Sequence, residues 1–358
     1  MNGEKTGILG VVPIASSAAL LYERSKRLSR VVEHMPTVAP FDLAGHCVAA
    51  AFLDDIPHFA LADGTIHRLD HGAKSVVAHD GLLCAAVTWD GRALVTGGED
   101  GKVALTRPDG STEALAEVPR KWVTSVATGP QGAVAYASGR TAFVRFADGK
   151  VKSYDHPRSV EGVAFAPKGM RIAVARYNGA TLHFPAAEGK PAELEWAGAH
   201  NGITFSPDGN FLVTTMQENA LHGWKLADGK HMRMTGYPAK VKSWSWSPKG
   251  KWLATSGAPA AIVWPFSAKD GPMGKAPVEL GTRGNTMVTA VACHPRDEIV
   301  AIGYADGMIL AGRIADLKEV VLRRGGTSAV TSMAWDTAGI RLAFGSEEGD
   351  CGVVDISA

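Results

Sequence analysis

The sequence predicts an all-β protein made of four-stranded antiparallel sheets repeated around a ring. Three observations carry that expectation. One stretch is written twice, 41 residues apart; a turn glycine recurs at similar intervals through most of the chain; and no amphipathic helical pattern interrupts the repeats.

The duplicated stretch lies within residues 199–264. Its first copy runs from Ala199-His200-Asn201-Gly202 through Phe205-Ser206-Pro207-Asp208-Gly209 to Leu221-His222-Gly223-Trp224. Its second runs from Lys242-Ser243-Trp244 through Trp246-Ser247-Pro248-Lys249-Gly250 to Ile262-Val263-Trp264. Each copy reads as an alternating strand, a Ser-Pro-x-Gly turn, an apolar strand, a small-residue turn and a third strand with Trp. Proline in the second turn position and glycine in the fourth suit a type I turn.

With that glycine as a ruler, Gly91, Gly132, Gly169, Gly209, Gly250 and Gly339 fall in line, with Asp297 filling the slot once. The spacings are 41, 37, 40, 41, 47 and 42 residues. A weaker copy from Gly45 to Asp70 makes eight units, starting near residues 45, 79, 120, 158, 199, 239, 286 and 327. A period of about 40–45 residues with four short strands is the signature of a β-propeller blade.

The last unit ends after its third strand, at Cys351–Ser357, while residues 37–44 stand unassigned before the first inner strand. Two open sheet edges would invite pairing with other chains. The expectation is therefore eight blades, with residues 37–44 supplying the outer strand of the blade built by residues 327–357. Seven blades is the alternative, should residues 45–78 or 120–157 fail to complete a sheet.

Two segments divide the chain: a leader, residues 1–35, and the propeller, residues 36–358. The leader's apolar run Gly7–Ala15 contains Pro13 and is too short to span a bilayer. It can be read as a signal peptide cut near Ser16-Ser17-Ala18, although a basic cluster follows at once. It can also be read as an upstream extension with Met35 as the true start, the reading favoured here. The leader is expected to be disordered, or a loose helix over residues 16–32 outside the ring.

Hydrophobic residues make up 46% of the chain and the net charge is +1, so no nucleic acid or membrane partner is expected. The four cysteines, Cys47, Cys84, Cys293 and Cys351, have no CxxC spacing and read as free buried thiols in a cytoplasmic protein.

The Gly45-His46, Ala78-His79 and Ala199-His200 pairs, the Asp63-Gly64, Asp100-Gly101 and Asp306-Gly307 turns, and Trp224 and Trp264 together resemble the WD-repeat (tryptophan-aspartate) β-propeller family over residues 36–357. Neither Trp is followed by Asp, and no unit keeps the whole His, Ser/Thr, Asp and Trp set. The degenerate, single-domain layout resembles bacterial members. The resemblance implies structural roles for His46, His79, His200, Asp63, Asp100, Asp306, Trp224 and Trp264. His67, His183 and His222 recur in third strands and read as repeat inheritance.

No catalytic or metal motif is present: no GxSxG, HExxH or phosphate-cradling loop. Neither cofactor nor metal is expected. Among positions opening the inner strands only Glu161 and Lys242 could handle protons, and one carboxylate is not an acid–base pair. The expected function is a non-catalytic, monomeric scaffold that presents one propeller face to a protein partner. Histidine-based binding of a metal or small ligand, and a hydrolase or lactonase-like propeller, are the alternatives.

By the resemblance, the contact face is built from the loops entering the inner strands and from the turns between second and third strands. That assigns Trp122, Ser159, Glu161, Asn201, Lys240, Lys242 and Met287 from the first set, and Arg140, Tyr177, Gln217 and Tyr304 from the second. Trp, Tyr, Met and Arg are the types enriched at interface hot spots. Trp244, Trp246, Trp252 and Trp335 read as packing between blades, and Trp89 as a turn residue.

Overall fold

A computed structural model describes residues 37–70 and 72–357. The leader and its expected helix lie outside the described residues. Within them the chain is a β-propeller whose units are antiparallel meanders, with one short 3-10 turn at Pro130–Gly132.

The duplicated turns form as their residues demand. Gly209 and Gly250 take φ of +78° and +65°, where a side chain would be strained. In the first turn Asp208 accepts from the Ser206 hydroxyl at 2.5 Å and from the Asn210 amide at 3.0 Å. Those bonds fix the loop between the unit's first two strands.

Six units are separate four-stranded sheets. Units four and five share one six-stranded sheet, because two of its strands each serve twice. Ile172–His183 folds back at Asn178-Gly179, with φ of +65° and +132°, so that its two halves are neighbouring strands. Ala192–Phe205 pairs first with Thr181 and Leu182, then passes on to pair with Phe211–Met216.

By continuous hydrogen bonding the described ring therefore has seven sheets, the alternative count; by sequence it has eight units. The reduction does not come from the units expected to fail. Residues 47–77 and 125–155 each complete a four-stranded sheet.

One apolar cluster fills each gap between consecutive units, so the core is a ring of interfaces instead of one central mass. Val163 and Phe165 of unit four, for example, meet Ala135 and Val144 of unit three. Small polar side chains stitch the inner strands together. Ser243 Oγ accepts the Val291 amide at 3.0 Å, Ser125 Oγ the Val163 amide at 3.2 Å, and Thr289 Oγ1 donates to the Val330 carbonyl at 2.7 Å.

Closure follows the expected route. Thr37–Asp42 pairs antiparallel with Asp350–Asp355 as the outer strand of unit eight, from Thr37 opposite Asp355 to Asp42 opposite Asp350. Pro40 is tolerated there because an outermost strand needs no amide on its free side. The strand stops at Asp42, two residues short of expectation, since Ala44 turns to φ +52° and donates to Asp42 Oδ1 at 3.0 Å. Units eight and one then meet directly: Ser332 Oγ accepts the Ala50 amide at 2.9 Å, and Thr331 Oγ1 donates to the Cys47 carbonyl at 2.6 Å.

The tryptophans assigned to packing, Trp244, Trp246, Trp252 and Trp335, are half-buried against the inter-unit clusters. Trp246 Nε1 donates back to Thr204 of unit five at 3.1 Å, and Trp335 Nε1 to Ala292 of unit seven at 3.1 Å.

Candidate protein-interaction face

In an antiparallel meander the loop entering the inner strand and the turn after the second strand lie at the same end. Ser125 opposite Ala137 and Val160 opposite Arg176 show this for units three and four. The two sets of loops predicted to bind a partner therefore share one face of the ring.

Hydrogen bonds tie these loops into a continuous surface over units three to five. Ser138 Oγ donates to the Trp122 carbonyl at 2.7 Å, the His156 amide to Arg140 O at 2.8 Å, and the Val160 amide to Gly139 O at 2.9 Å. Further round, Asn178 Oδ1 accepts the Gly198 amide at 3.1 Å, the Gln217 amide donates to Ala199 O at 3.0 Å, and Asn201 Nδ2 donates to Gln217 Oε1 at 3.4 Å.

On this platform Trp122 is 56% exposed and Tyr177 52%, high values for rings of that size. Arg140, Ser159, Glu161, Gln217, Lys240 and Lys242 are also exposed, and Asn201 and Met287 half-buried. Arg120 and Lys121 add exposed positive charge beside Trp122 in sequence, and Arg158 adds more on the loop entering unit four. Trp89 is 52% exposed in its turn.

Tyr304 does not belong to this surface. It is fully buried as the last residue of Ile299–Tyr304, and its hydroxyl donates to the Gly281 carbonyl. Burial, and then the Glu319 carboxylate, push its hydroxyl well above the usual tyrosine range. Expected in the turn, Tyr304 instead ends the preceding strand with its ring among the apolar residues between units six and seven.

The structural histidines divide. His79 Nδ1 donates to Asp100 Oδ1 at 3.0 Å, which leaves Nε2 to accept from Thr96 Oγ1 at 2.8 Å. Burial opposes the Asp100 charge, but the bonds from His79 and the Lys102 amide outweigh it and hold the carboxyl below its ordinary value. His200 is set similarly, with Nε2 donating to the Trp196 carbonyl at 3.0 Å and Nδ1 lying 2.7 Å from Thr214 Oγ1.

His46 is exposed and fills no such role. Its carbonyl accepts the Ala62 amide just as Gly81 accepts that of Glu99, so His46 lies two residues past the slot that His79 fills. Asp63 binds only its own turn, through the Thr65 amide at 2.9 Å and hydroxyl at 2.6 Å. Asp306 caps Met308 at 3.2 Å and pairs with Arg283 at 2.9 Å.

Unit six carries the set in another form. Tyr237 takes the histidine slot, Thr255 the hydroxyl slot, and Trp264 completes the arrangement. Trp224 of unit five is buried 5.6 Å from the His200 ring. The sequence reading missed Tyr237, although it precedes Thr255 by 18 residues, much as His79 precedes Thr96 by 17.

His183 and His222 are buried in third strands, whereas His67 is half-buried beside Thr65. Among the described residues no three His, Cys, Asp or Glu side chains group so as to hold a metal ion. No helix among them is long and apolar enough to cross a membrane.

Residues 230–262 match the family model described as "WD domain, G-beta repeat". That span takes in Tyr237 and Thr255 and stops two residues before Trp264. No curated protein matches the chain. Solved structures that resemble it include the computationally designed Ika8 protein, 20% identical over 90% of this chain and 100% of that one, with a TM-score of 0.72. The Dos1 propeller is 14% identical over 91% of this chain and 96% of its own, with a TM-score of 0.74. The C-terminal WD40 domain of Sif2 is 14% identical over 90% and 99%, with a TM-score of 0.70. At these identities the likeness is one of fold. The chain therefore has a β-propeller fold, one stretch of which, residues 230–262, matches a WD repeat.

Proposed function

We propose that this propeller is a non-catalytic scaffold that presents the loop face over units three to six to a protein partner. WD-repeat propellers generally serve as protein-binding scaffolds. The observation that carries the reading here is the pair Trp122 and Tyr177, both more than half exposed on the same face of consecutive units three and four, with Arg140 exposed on the turn of unit three. Large rings held on a rigid platform bind at low entropic cost. As part of the same reading we take the protein to be cytoplasmic and monomeric.

The test is affinity capture from native lysate with the wild-type chain and with a Trp122→Ala/Tyr177→Ala/Lys240→Ala variant. All three side chains are exposed, so the variant is expected to fold normally and lose a specific partner. Retention of every partner by the variant would show that this face is not the binding surface.

A further inference from the structure

We propose a second binding site, on the rim of the ring, that takes an extended acidic segment of another protein as an added β-strand. It lies along His231–Met234, the outer strand of unit five. That strand pairs on one side, from Trp224 opposite His231 to Leu221 opposite Met234, and no strand among the described residues pairs on its other side. The Lys225 amide donates to Lys230 O at 2.7 Å, so by antiparallel alternation the main-chain groups of His231 and Arg233 point outward.

A cavity of about 350 Å³ sits over this edge. Its position follows from which side chains reach it. Met232 and Met234 pack towards unit six, against Tyr237 and Trp264, whereas His231 packs the other way, against Trp196 and His222. Side chains from both faces of one strand line the same cavity only if the cavity straddles the strand's free edge.

The lining chooses the occupant. Arg233 and Lys275 bring fixed positive charge, no carboxylate contributes, and neither residue has an ion-pair partner among the described residues. Trp196, Trp264 and Met273, the last 54% exposed, supply apolar surface on either side. A strand laid on the edge sends alternate side chains to opposite faces. Acidic residues alternating with apolar ones would meet Arg233 on one side and Met273 with Lys275 on the other. Main-chain bonds to His231 and Arg233 would set the register.

A display library of random dodecapeptides, selected against the full chain, tests this. Selected peptides should alternate acidic and apolar residues and bind an Arg233→Glu/Lys275→Glu variant at least tenfold more weakly. They should slow amide exchange at His231 and Arg233, and should bind the Trp122→Ala/Tyr177→Ala variant as tightly as wild type. Both charge changes are on exposed side chains, and an unchanged thermal midpoint checks that the fold persists. An empty selection, peptides without acidic bias, or equal binding to the charge-reversed variant would overturn the proposal. A homodimer dissolved by the same two changes would assign the edge to a second copy and overturn it as well. Loss of binding only in the Trp122/Tyr177 variant would show that the peptides had found the loop face instead.

Discussion

Trp264 Nε1 donates to the Tyr237 hydroxyl at 2.6 Å, and that hydroxyl lies 2.7 Å from Thr255 Oγ1, which donates onward to the Ile262 carbonyl at 2.9 Å. The chain of donors runs one way and ties the loop that enters unit six to its second and third strands. Burial, only partly offset by these bonds, pushes Tyr237 up to about 12, so it keeps the proton the relay needs. Tyr237→Phe should strand the indole N–H and cost about 1–3 kcal/mol, read as a lower urea midpoint at unchanged slope. A loss below about 0.5 kcal/mol would mean that the relay contributes little.

His222 sets the acid limit. It is fully buried, stacked 4.1 Å from the Trp196 ring, and neither ring nitrogen has a hydrogen-bond partner among the described residues. Burial, then the neighbouring His200 and His231, push it down to about 3; burial and His156 push His183 down to about 4. Unfolded histidine titrates near about 6.5. Below that pH the unfolded chain takes up protons that the folded rings refuse. Stability is therefore undiminished above the unfolded value and drains away as pH falls towards the folded ones. His222→Phe should be at least as stable as wild type at neutral pH and lose less stability between about pH 6.5 and 4. Parallel stability–pH curves for the two proteins would remove His222 from this account.

The seam between units eight and one has almost no spare room. A Cβ placed on Gly345 would lie 2.2 Å from Cys47 Sγ and 3.3 Å from Cys351 Sγ. Gly345→Ala should cost about 1–3 kcal/mol by overpacking. It should also speed alkylation of these two buried thiols more than that of Cys84 and Cys293, both pushed up to about 12, chiefly by burial. Uniform acceleration at all four cysteines would indicate global unfolding and not an opened seam.

The repeat, its period and the closing strand were all legible, because alternation, turn glycines and a missing fourth strand are local signals. The shared sheet was not. Asn178-Gly179 looks like any tight turn, and nothing local says that Ala192–Phe205 runs unbroken from one unit into the next. The loop face was legible to the extent that its residues lie beyond strand ends. Tyr304 failed because one residue decides between the end of a strand and the start of a turn. His46 failed because the register sets it two residues past the slot that His79 fills, an offset that a Gly-His pair in the sequence does not reveal. The rim edge carries no motif, since only the fold brings Trp196, Arg233 and Lys275 from three units to one place.

Thr37 and Asp355 sit side by side on antiparallel strands, as the two arms of an ordinary hairpin do. A short linker joining them would give unit eight the same connection that other units carry between their third and fourth strands. The polypeptide could then be cut elsewhere, for instance at the exposed turn around Asp109-Gly110, where Gly110 takes φ +88°. A circularly permuted chain of that kind would keep every interface while moving its ends a quarter of the way round the wheel.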